Sequence, residues 1–310
     1  MRILLHNAPV VVLVLIFAFG ALMSDRFVSP VNLRNILLQA SIISVLAMGM
    51  TFVIISGGFD LSVGSIVAVS GCVGAWTMLQ FGIVAGVALA LLAGTAAGIL
   101  NGVLIAWLRL NPFIATMGTM VILRGLVLLF TEGQPISGPS GLPAAFLNYA
   151  RHSVLGIPLL TWTPIMLFLV LGWALHLSAY GKRLYAVGGN AEAAFLAGIS
   201  VDRIRASAFA LAGLTAGLAG VMLASRLQSG QPTAAEGYEL NAIAAVILGG
   251  ASLRGGEGRL AMTVVGVFII VILGNALNLM GVDSYWQRIA VGVVILLAAA
   301  ADQIKRTRRH

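Results

Sequence analysis

Charged side chains are scarce in this chain of 310 residues. Asp, Glu, Lys and Arg make up 9% of it, whereas 60% of the residues are hydrophobic. An average soluble protein carries roughly 25% charged residues. A soluble fold must cover its surface with polar side chains, and a chain of this length with so few charged residues cannot do so. A lipid bilayer accounts for the composition, and the 37 glycines fit close helix packing within it.

Groups that could hold a metal or a nucleotide are also missing. The single cysteine, Cys72, excludes an internal disulfide and a cysteine-based metal site. The four histidines are too scattered for a membrane-embedded enzyme, which needs its reactive groups clustered at one depth. Gly181-Lys182 is followed by Arg183 and lacks the upstream glycine of a phosphate-binding loop. We therefore expect no metal, no ATP or other cofactor, and no catalytic residues in this chain.

Ten apolar segments predict an all-α, polytopic transmembrane helix bundle of about ten spans, with eight as the lower bound. The bundle forms one transmembrane domain over residues 1–310. The first segment resembles a signal peptide, but no small-x-small cleavage site follows it, so a span is favoured. The fourth is long enough to tilt or break. The predicted spans are Ala8–Met23, Ile36–Ser56, Ser65–Phe81, Ile83–Trp107, Phe113–Thr131, Trp162–Ser178, Ala206–Ser225, Leu240–Gly250, Leu260–Met280 and Trp286–Ala301.

The net charge of +8 is explained by the positive-inside rule, since the basic residues lie at the ends of apolar runs. No basic stripe carries interleaved aromatics, so nucleic acid is not expected as a partner. With both termini cytoplasmic, five basic residues fall outside and twelve inside. The inside set is Arg2, Arg109, Lys182, Arg183, Arg203, Arg205, Arg254, Arg259, Lys305, Arg306, Arg308 and Arg309. The last four of these can also contact anionic membrane lipid.

Two loops stand out by length. Residues Glu132–Thr161 include four prolines, lie outside on this arrangement and are predicted to be non-helical or re-entrant. The stretch from Tyr180 to Arg205 lies inside and is the most polar internal part of the chain.

A weak internal repeat relates two halves of the chain. The motif Gly57–Gly64 is echoed by Gly249–Gly256, and each follows one apolar run and precedes another. Duplicated halves are common in transporters, where the pathway lies at their interface. A chance match in a glycine-rich membrane protein is the alternative.

The glycine-flanked carboxylate of the first motif has two interpretations. Asp60 caps the next helix within a tight turn, or the segment is a broken helix beside the pathway or a gate. The predicted pathway or gate residues here are Gly57, Gly58, Asp60, Ser62 and Gly64.

Further polar residues fall within spans. Arg124 either serves function, snorkels or pairs with a carboxylate such as Asp60. Asn111, Thr116 and Asn241 are added as pathway candidates because they can form neutral hydrogen bonds to a polar solute, although bridging between helices is the commoner role of such residues.

The inside loop contains a short predicted helix. Asn190 is a good N-cap, Ala191–Ala197 are helix formers, and Gly198 is a good stop. Phe195 and Leu196 would then be exposed apolar surface, which suggests a protein partner. An amphipathic helix lying on lipid is the alternative.

The run Glu192-Ala193-Ala194-x-x-x-Gly198 resembles the core of the Glu-Ala-Ala loop of bacterial ABC import permeases, although the later Ile-x-Leu-Pro part is missing. Together with Gly57–Ser65 and Asn111–Thr116, the loop looks like the ribose, xylose, arabinose and autoinducer-2 branch of these permeases. The resemblance covers about Val28 to Ala301.

That resemblance implies a non-catalytic permease subunit of an ATP-driven importer in the bacterial inner membrane. It would translocate a monosaccharide or related polyol-like solute by alternating access. The implied partners are a second permease subunit, identical or closely related, a cytoplasmic ATPase with two nucleotide-binding domains, and a periplasmic sugar-binding protein. The implied ATPase-coupling residues are Gly189, Asn190, Glu192, Ala193, Ala194, Phe195 and Gly198.

The alternative is an ion- or proton-coupled secondary transporter. It would need paired carboxylates inside the membrane as a relay. The predicted spans are nearly bare of them, with Asp60 as the main exception.

Overall fold

The computed structural model describes residues 8–283, 285–287, 289–290, 292–293 and 296. Its regular secondary structure is helical, apart from a two-stranded hairpin of β1 (Ser153–Val154) and β2 (Ile157–Pro158), and non-helical segments connect the helices. The predicted all-α class is therefore confirmed. The helices are α1 Ala8–Met23, α2 Pro30–Ile55, α3 Val63–Phe81, α4 Ile83–Ala106, α5 Pro112–Thr131, α6 Ala144–Arg151, α7 Leu159–His176, α8 Ala179–Gly189, α9 Ala191–Leu196, α10 Val201–Leu227, α11 Tyr238–Leu248 and α12 Leu260–Leu279.

Seven helices within the described residues are long and apolar enough to cross a membrane: α2, α3, α4, α5, α7, α10 and α12. Two more apolar helices are shorter, with 16 residues in α1 and 11 in α11. The predicted tenth span, Trp286–Ala301, lies largely outside the described residues. The count of ten spans and the cytoplasmic position of both termini stay predictions.

Two spans begin with the same local signal. Ser29 precedes Pro30, and its side chain accepts a hydrogen bond from the Asn32 amide. Asn111 precedes Pro112 in the same way and accepts from the Phe113 amide. A polar cap followed by proline favours a helix start because proline lacks the N–H that would be unpaired there. The signal explains why α2 begins six residues before the apolar run that predicted it.

The helix α2 lies at the centre of the bundle. In its most apolar stretch 94% of the residues are buried, against 22% in α5 and in α7. It is enclosed by α7, α10, α11 and α12. The helices α5 and α7 therefore lie at the periphery of the bundle with most of their surface exposed, while α2 forms the core.

The closest helix pair is α4 with α10, and it is built from small residues. A Cβ at Gly94 would lie 2.7 Å from the Gly217 Cα, and one at Gly98 would lie 2.8 Å from the Gly213 Cα. Because lipid gives helices no hydrophobic reason to associate, close backbone approach supplies the attraction. The α4 span was predicted to tilt or break, and it runs unbroken.

Polar pairs fix neighbouring helices in register. Ser41 of α2 donates to Thr161 of α7 at 2.9 Å. The amides of Asn32 and Asn275 bond each other reciprocally at 2.9 and 2.8 Å, joining α2 to α12. These pairs satisfy polar groups that lipid cannot.

The outside loop is more regular than predicted. The expectation of a non-helical or re-entrant shape is wrong for Ala144–Arg151, which form α6. Pro143 fixes the chain at the start, and the following residues bury Phe146 and Leu147. Ser225 of α10 donates to the Phe146 carbonyl at 2.8 Å. Burial of this short apolar face against α10 therefore outweighs the turn-forming residues before it.

The two glycine motifs of the weak repeat share one backbone geometry. Gly57 and Gly250 each lie two residues past a helix end and have φ of 86° and 83°. In both motifs this glycine and the residue after it donate back to carbonyls three and five positions earlier. This is the Schellman cap, which favours glycine because of its left-handed conformation.

Candidate functional site

Three chain segments meet backbone to backbone at one end of the bundle. We call this contact the glycine junction, formed by Gly57, Gly188, Gly189, Gly255 and Gly256. The Gly256 amide donates to the Ile55 carbonyl at 2.9 Å. A Cβ at Gly255 would lie 2.8 Å from the Gly188 oxygen and 2.9 Å from the Gly57 Cα. The junction thus joins the ends of α2 and α8 to the loop between α11 and α12.

The junction tolerates no side chain at its centre. A Cβ at Gly188 would clash with the Ile55 carbonyl oxygen, and one at Gly256 would lie 2.7 Å from the Gly189 Cα. Gly57, Gly255 and Gly256 also have positive φ, which L-residues rarely adopt.

Tyr185 of α8 ties the same elements together. Its hydroxyl donates to the Gly258 carbonyl at 2.7 Å. Burial raises the pKa of Tyr185 above its usual value, although the nearby Arg259 cation acts in the opposite direction. The phenol is therefore protonated at neutral pH and able to donate.

The short helix α9 projects from the junction as predicted. Asn190 ends α8 and caps α9, because its side chain accepts from the Ala193 amide at 2.9 Å. Gly198 stops the helix with φ of 81°. The sequence pattern predicted this helix but not α8 before it. Of the predicted coupling residues only Ala194 is buried; Gly189, Asn190, Glu192, Ala193, Phe195 and Gly198 are exposed.

The end of the bundle that carries α9 is also its basic end. We call it the coupling end. Arg109 follows α4, and the remaining basic residues lie on α8, at the start of α10 and in the loop before α12. Within the described part it holds every basic residue that the charge rule assigns to the inside: Arg109, Lys182, Arg183, Arg203, Arg205, Arg254 and Arg259.

Two non-helical segments run inside the bundle, and we call them the first and second breaks. The first break, Ser56–Ser62, joins α2 to α3. The second, Gln228–Gly237, joins α10 to α11. They approach the middle of the bundle from opposite ends.

A buried chain of hydrogen bonds fixes the first break. Thr119 of α5 donates to the Asn101 side-chain oxygen at 2.7 Å, and the Asn101 amide donates to the Ser62 hydroxyl at 2.8 Å. The Ser62 hydroxyl and amide then donate to Asp60 at 2.6 and 2.9 Å. All four residues are buried. Every partner of this carboxylate is a neutral donor.

The depth of these hydrogen bonds within the bundle favours the broken-helix interpretation of the first break. Asn101 lies five residues before the end of α4, and Thr119 lies seven residues after the start of α5. At 1.5 Å per residue the first break therefore enters the bundle by roughly 8–10 Å. Asp60 accepts from Ser62, which precedes α3, so the tight-turn interpretation with Asp60 capping α3 does not match the observed bonds.

Arg124 fastens the second break. Its guanidinium donates to the Pro232 and Ala234 carbonyls at 2.5 and 3.0 Å. The carboxylates that act on it electrostatically are Glu236 and Glu239. Of the alternatives for Arg124, pairing with Asp60 does not match these contacts, because the guanidinium lies against a segment from the second half of the chain.

The two breaks lead to helix starts that face each other. Gly64, in the first turn of α3, lies against the Glu239 carboxylate and the Ala235 carbonyl, and a Cβ there would meet both. Glu239 belongs to the first turn of α11 and accepts from the Gly237 amide at 3.1 Å. The positive ends of both helix dipoles thus point to one region near this carboxylate.

The other predicted pathway residues have diverse positions. Gly58 packs against Phe209 with its Cβ position 3.0 Å from the ring. Thr116 is buried and donates to the Pro112 carbonyl at 2.8 Å, and exposed Asn111 caps α5. Asn241 lies on α11 and is half-buried. The structure therefore brings Gly58, Asp60, Ser62 and Gly64 together along the first break, but not Asn111 or Asn241.

The second break was missed by sequence reasoning. Its letters, Gln-Ser-Gly-Gln-Pro-Thr-Ala-Ala-Glu-Gly, read as a polar outside loop. A signal was available in Arg124, because an intramembrane cation needs partners and the carbonyls of a non-helical segment provide them.

The face opposite the coupling end carries an open, basic depression of about 420 Å³. Arg34 is held there by the carbonyls of Ala150 and Arg151 at 3.1 and 2.8 Å. Arg151 in turn donates to Gln228 at 2.7 Å, and Arg226 completes the lining.

A multi-helix membrane bundle with an exposed, capped helix attached to its first break through the glycine junction has the architecture of a transport permease. The comparisons with known proteins make the class specific. The chain belongs to the family described as the permease component of branched-chain amino acid transport systems, whose model matches residues 32–299.

Curated relatives align over nearly the whole chain. The ribose import permease protein RbsC of Bacillus subtilis (strain 168) is 44% identical over 96% of this chain and 92% of its own length. RbsC of Escherichia coli (strain K12) is 42% identical over 98% and 95%. The L-arabinose ABC transporter permease protein AraH of Azospirillum brasilense is 40% identical over 98% and 89%. No solved structure matches the chain.

Proposed function

We propose that this chain is the permease subunit of an ATP-driven importer that carries a monosaccharide or related polyol-like solute across the bacterial inner membrane. The observation that carries the proposal is α9, an exposed capped helix attached to both glycine motifs. Identity of about two residues in five to ribose and arabinose permeases over nearly the whole chain supports the substrate class.

In this proposal α9 is the docking element for a separate ATPase with two nucleotide-binding domains. Phe195 and Leu196 are 69% and 79% exposed and give an apolar contact surface at the coupling end. Displacement of α9 would pass through α8 to the glycine junction. Because backbone packs on backbone there with no intervening side chain, the ends of α2 and of the α11–α12 loop would move with it.

The remaining partners follow from the same proposal. A second permease subunit, identical or closely related, completes the pathway. A periplasmic sugar-binding protein delivers the solute to the opposite face. The depression around Arg34, Arg151 and Arg226 offers that protein a basic contact surface. The chain itself binds no ATP and performs no catalysis.

Uptake of radiolabelled D-ribose, L-arabinose and D-allose into membrane vesicles tests the proposal. Expected is uptake of at least one sugar that requires hydrolysable ATP and the sugar-binding protein. Replacement of Phe195 by Asp should remove that uptake, because a charge replaces the apolar docking contact, while leaving the folded yield of the subunit unchanged. Uptake that stops with a proton uncoupler at constant ATP would overturn the proposal in favour of a secondary transporter.

A further inference from the structure

The second break exposes polar groups at membrane depth. Thr233 and Glu236 are exposed, and neither is in a helix or strand. Leu240, in the first turn of α11, is exposed as well. The second break therefore combines non-helical backbone with an exposed hydroxyl and an exposed carboxylate.

The contacts on its rear side fix the depth of this segment. Gly230 packs on Cys72, with its Cβ position 2.8 Å from the Cys72 Cα. Cys72 is the central residue of α3, nine residues from each end. Further along, Ala235 lies against Gly64 at the inner start of α3. On α5 the segment is held by Arg124, seven residues or about 10 Å from the end of that helix.

Lipid cannot surround such a surface. Unpaired backbone groups and an exposed carboxylate in hydrocarbon each cost several kcal/mol, so non-helical backbone at this depth is tolerated where it lines a water-filled cavity or is covered by protein. Arg124 already satisfies the rear carbonyls of the segment. The front, which carries Thr233 and Glu236, therefore faces water or protein rather than lipid, and its exposed carboxylate favours water.

We propose that the second break is the sugar-contacting wall of the translocation pathway, with Thr233 and Glu236 as its hydrogen-bonding groups. The inference rests on the proposed function. A hydroxyl that donates and accepts and a carboxylate that accepts are suited to sugar hydroxyls. Leu240 adds an apolar contact for the C–H face of the ring. Two polar groups on one wall make a weak site, which suits a solute that must leave again.

Cysteine accessibility tests the position of the wall. Cys72 is fully buried, so the native background of thiol labelling is low. The assembled importer in right-side-out vesicles would carry Thr233→Cys or, as a matched control, Leu129→Cys on the lipid-facing side of α5, where Leu129 is 78% exposed. A charged, membrane-impermeant methanethiosulfonate should label Thr233→Cys at least roughly tenfold faster, because the reactive thiolate forms in water and not in lipid.

Transported sugar should slow the labelling of Thr233→Cys at concentrations that saturate uptake. Equal labelling of the two variants overturns the inference. Labelling that transported sugar leaves unchanged also overturns it, since the wall would then face water without contacting the solute. Labelling that begins only when the subunits are separated in detergent assigns the segment to the interface between permease copies instead.

A second readout isolates sugar contact from energy coupling. Glu236→Gln should raise the KM for uptake by roughly tenfold, as expected for a weakened charged hydrogen bond, while ATP hydrolysis stimulated by the binding protein continues. Glu132→Gln, an exposed carboxylate beyond the end of α5, is the matched control and should leave KM unchanged. An unchanged KM in Glu236→Gln overturns the inference even if ATP drives uptake; sugar protection without any ATP dependence overturns the proposed function alone.

Discussion

Both breaks are non-helical segments that carry polar groups inside the bundle, but the polar groups of the two segments have different surroundings. In the first, the carboxylate of Asp60 and its neighbours are buried, and α4 and α5 supply their partners through Asn101 and Thr119. In the second, Arg124 fastens the backbone from one side, and Thr233 and Glu236 stay exposed on the other. A polar, non-helical segment can therefore connect neighbouring helices when protein groups satisfy it. It can line an aqueous cavity when water satisfies it.

Removing the centre of the buried chain should have the largest effect. Asn101→Leu removes the hydrogen bonds that this side chain makes with Asp60, Ser62 and Thr119. It should lower the free energy of unfolding by about 4 kcal/mol, since each hydrogen bond lost to a buried polar group costs about 1–3 kcal/mol. Thermal unfolding of the purified subunit in detergent measures it. Asn278→Leu, at an exposed site near the end of α12, is the control. Equal midpoints for both variants would show that the first break does not depend on its hydrogen bonds.

The glycine junction contains two adjacent glycines, Gly188 and Gly189, that serve as a test variant and its control. Gly188→Ala places a methyl group against the Ile55 carbonyl and should destabilise the subunit by about 3 kcal/mol, the upper range for overpacking. Gly189→Ala meets nothing within 4 Å and should change stability by less than about 0.5 kcal/mol. The same unfolding assay compares them. A stable Gly188→Ala subunit would mean that the junction opens readily.

Removing the guanidinium that holds the second break should lower the free energy of unfolding by a smaller amount. Arg124→Met keeps the length of the side chain but leaves the Pro232 and Ala234 carbonyls without their donor. Because water reaches this segment from its open side, we expect a loss of about 2 kcal/mol rather than the full penalty of two buried orphans. Proteolysis of the 228–237 segment should accelerate in parallel. Unaltered stability and cleavage would remove Arg124 from its fastening role.

The smallest effect on stability should come from a substitution on the exposed side of the second break. Thr233→Val is nearly isosteric and removes a hydroxyl that water solvates, so the free energy of unfolding should change by less than about 0.5 kcal/mol. Thr119→Val, its counterpart on the first break, should cost more than about 1 kcal/mol because a buried acceptor loses its donor. If the two substitutions are equally costly, the contrast between the breaks disappears.

Local signals predicted much of this fold. The last residue of α1, Met23, agrees with the end of its apolar run, and α9 has the predicted cap at Asn190 and stop at Gly198. These features depend on neighbouring residues. Membrane composition likewise predicts the class of fold, because lipid and water sort side chains strongly.

The second break depends instead on contacts distant in sequence. Arg124 and Pro232 are 108 residues apart, and no local pattern predicts that they meet. Hydropathy gave this polar segment the appearance of a surface loop, since it reports composition and not depth. In the same way, burial of Phe146 and Leu147 against α10 turned a proline-rich loop into α6.

The central position of α2 has a consequence for how the chain is made. Its partners Thr161 and Thr263 come from α7 and α12, which are synthesised long after α2 has entered the membrane. Until then Ser41 and Thr51 rely on the Leu37 and Ala47 carbonyls of their own helix, to which they donate at 2.6 and 2.7 Å. These intrahelical hydrogen bonds therefore satisfy the hydroxyls while α2 is in lipid during biogenesis. The same hydroxyls can then bond to Thr161 and Thr263 once α7 and α12 are inserted.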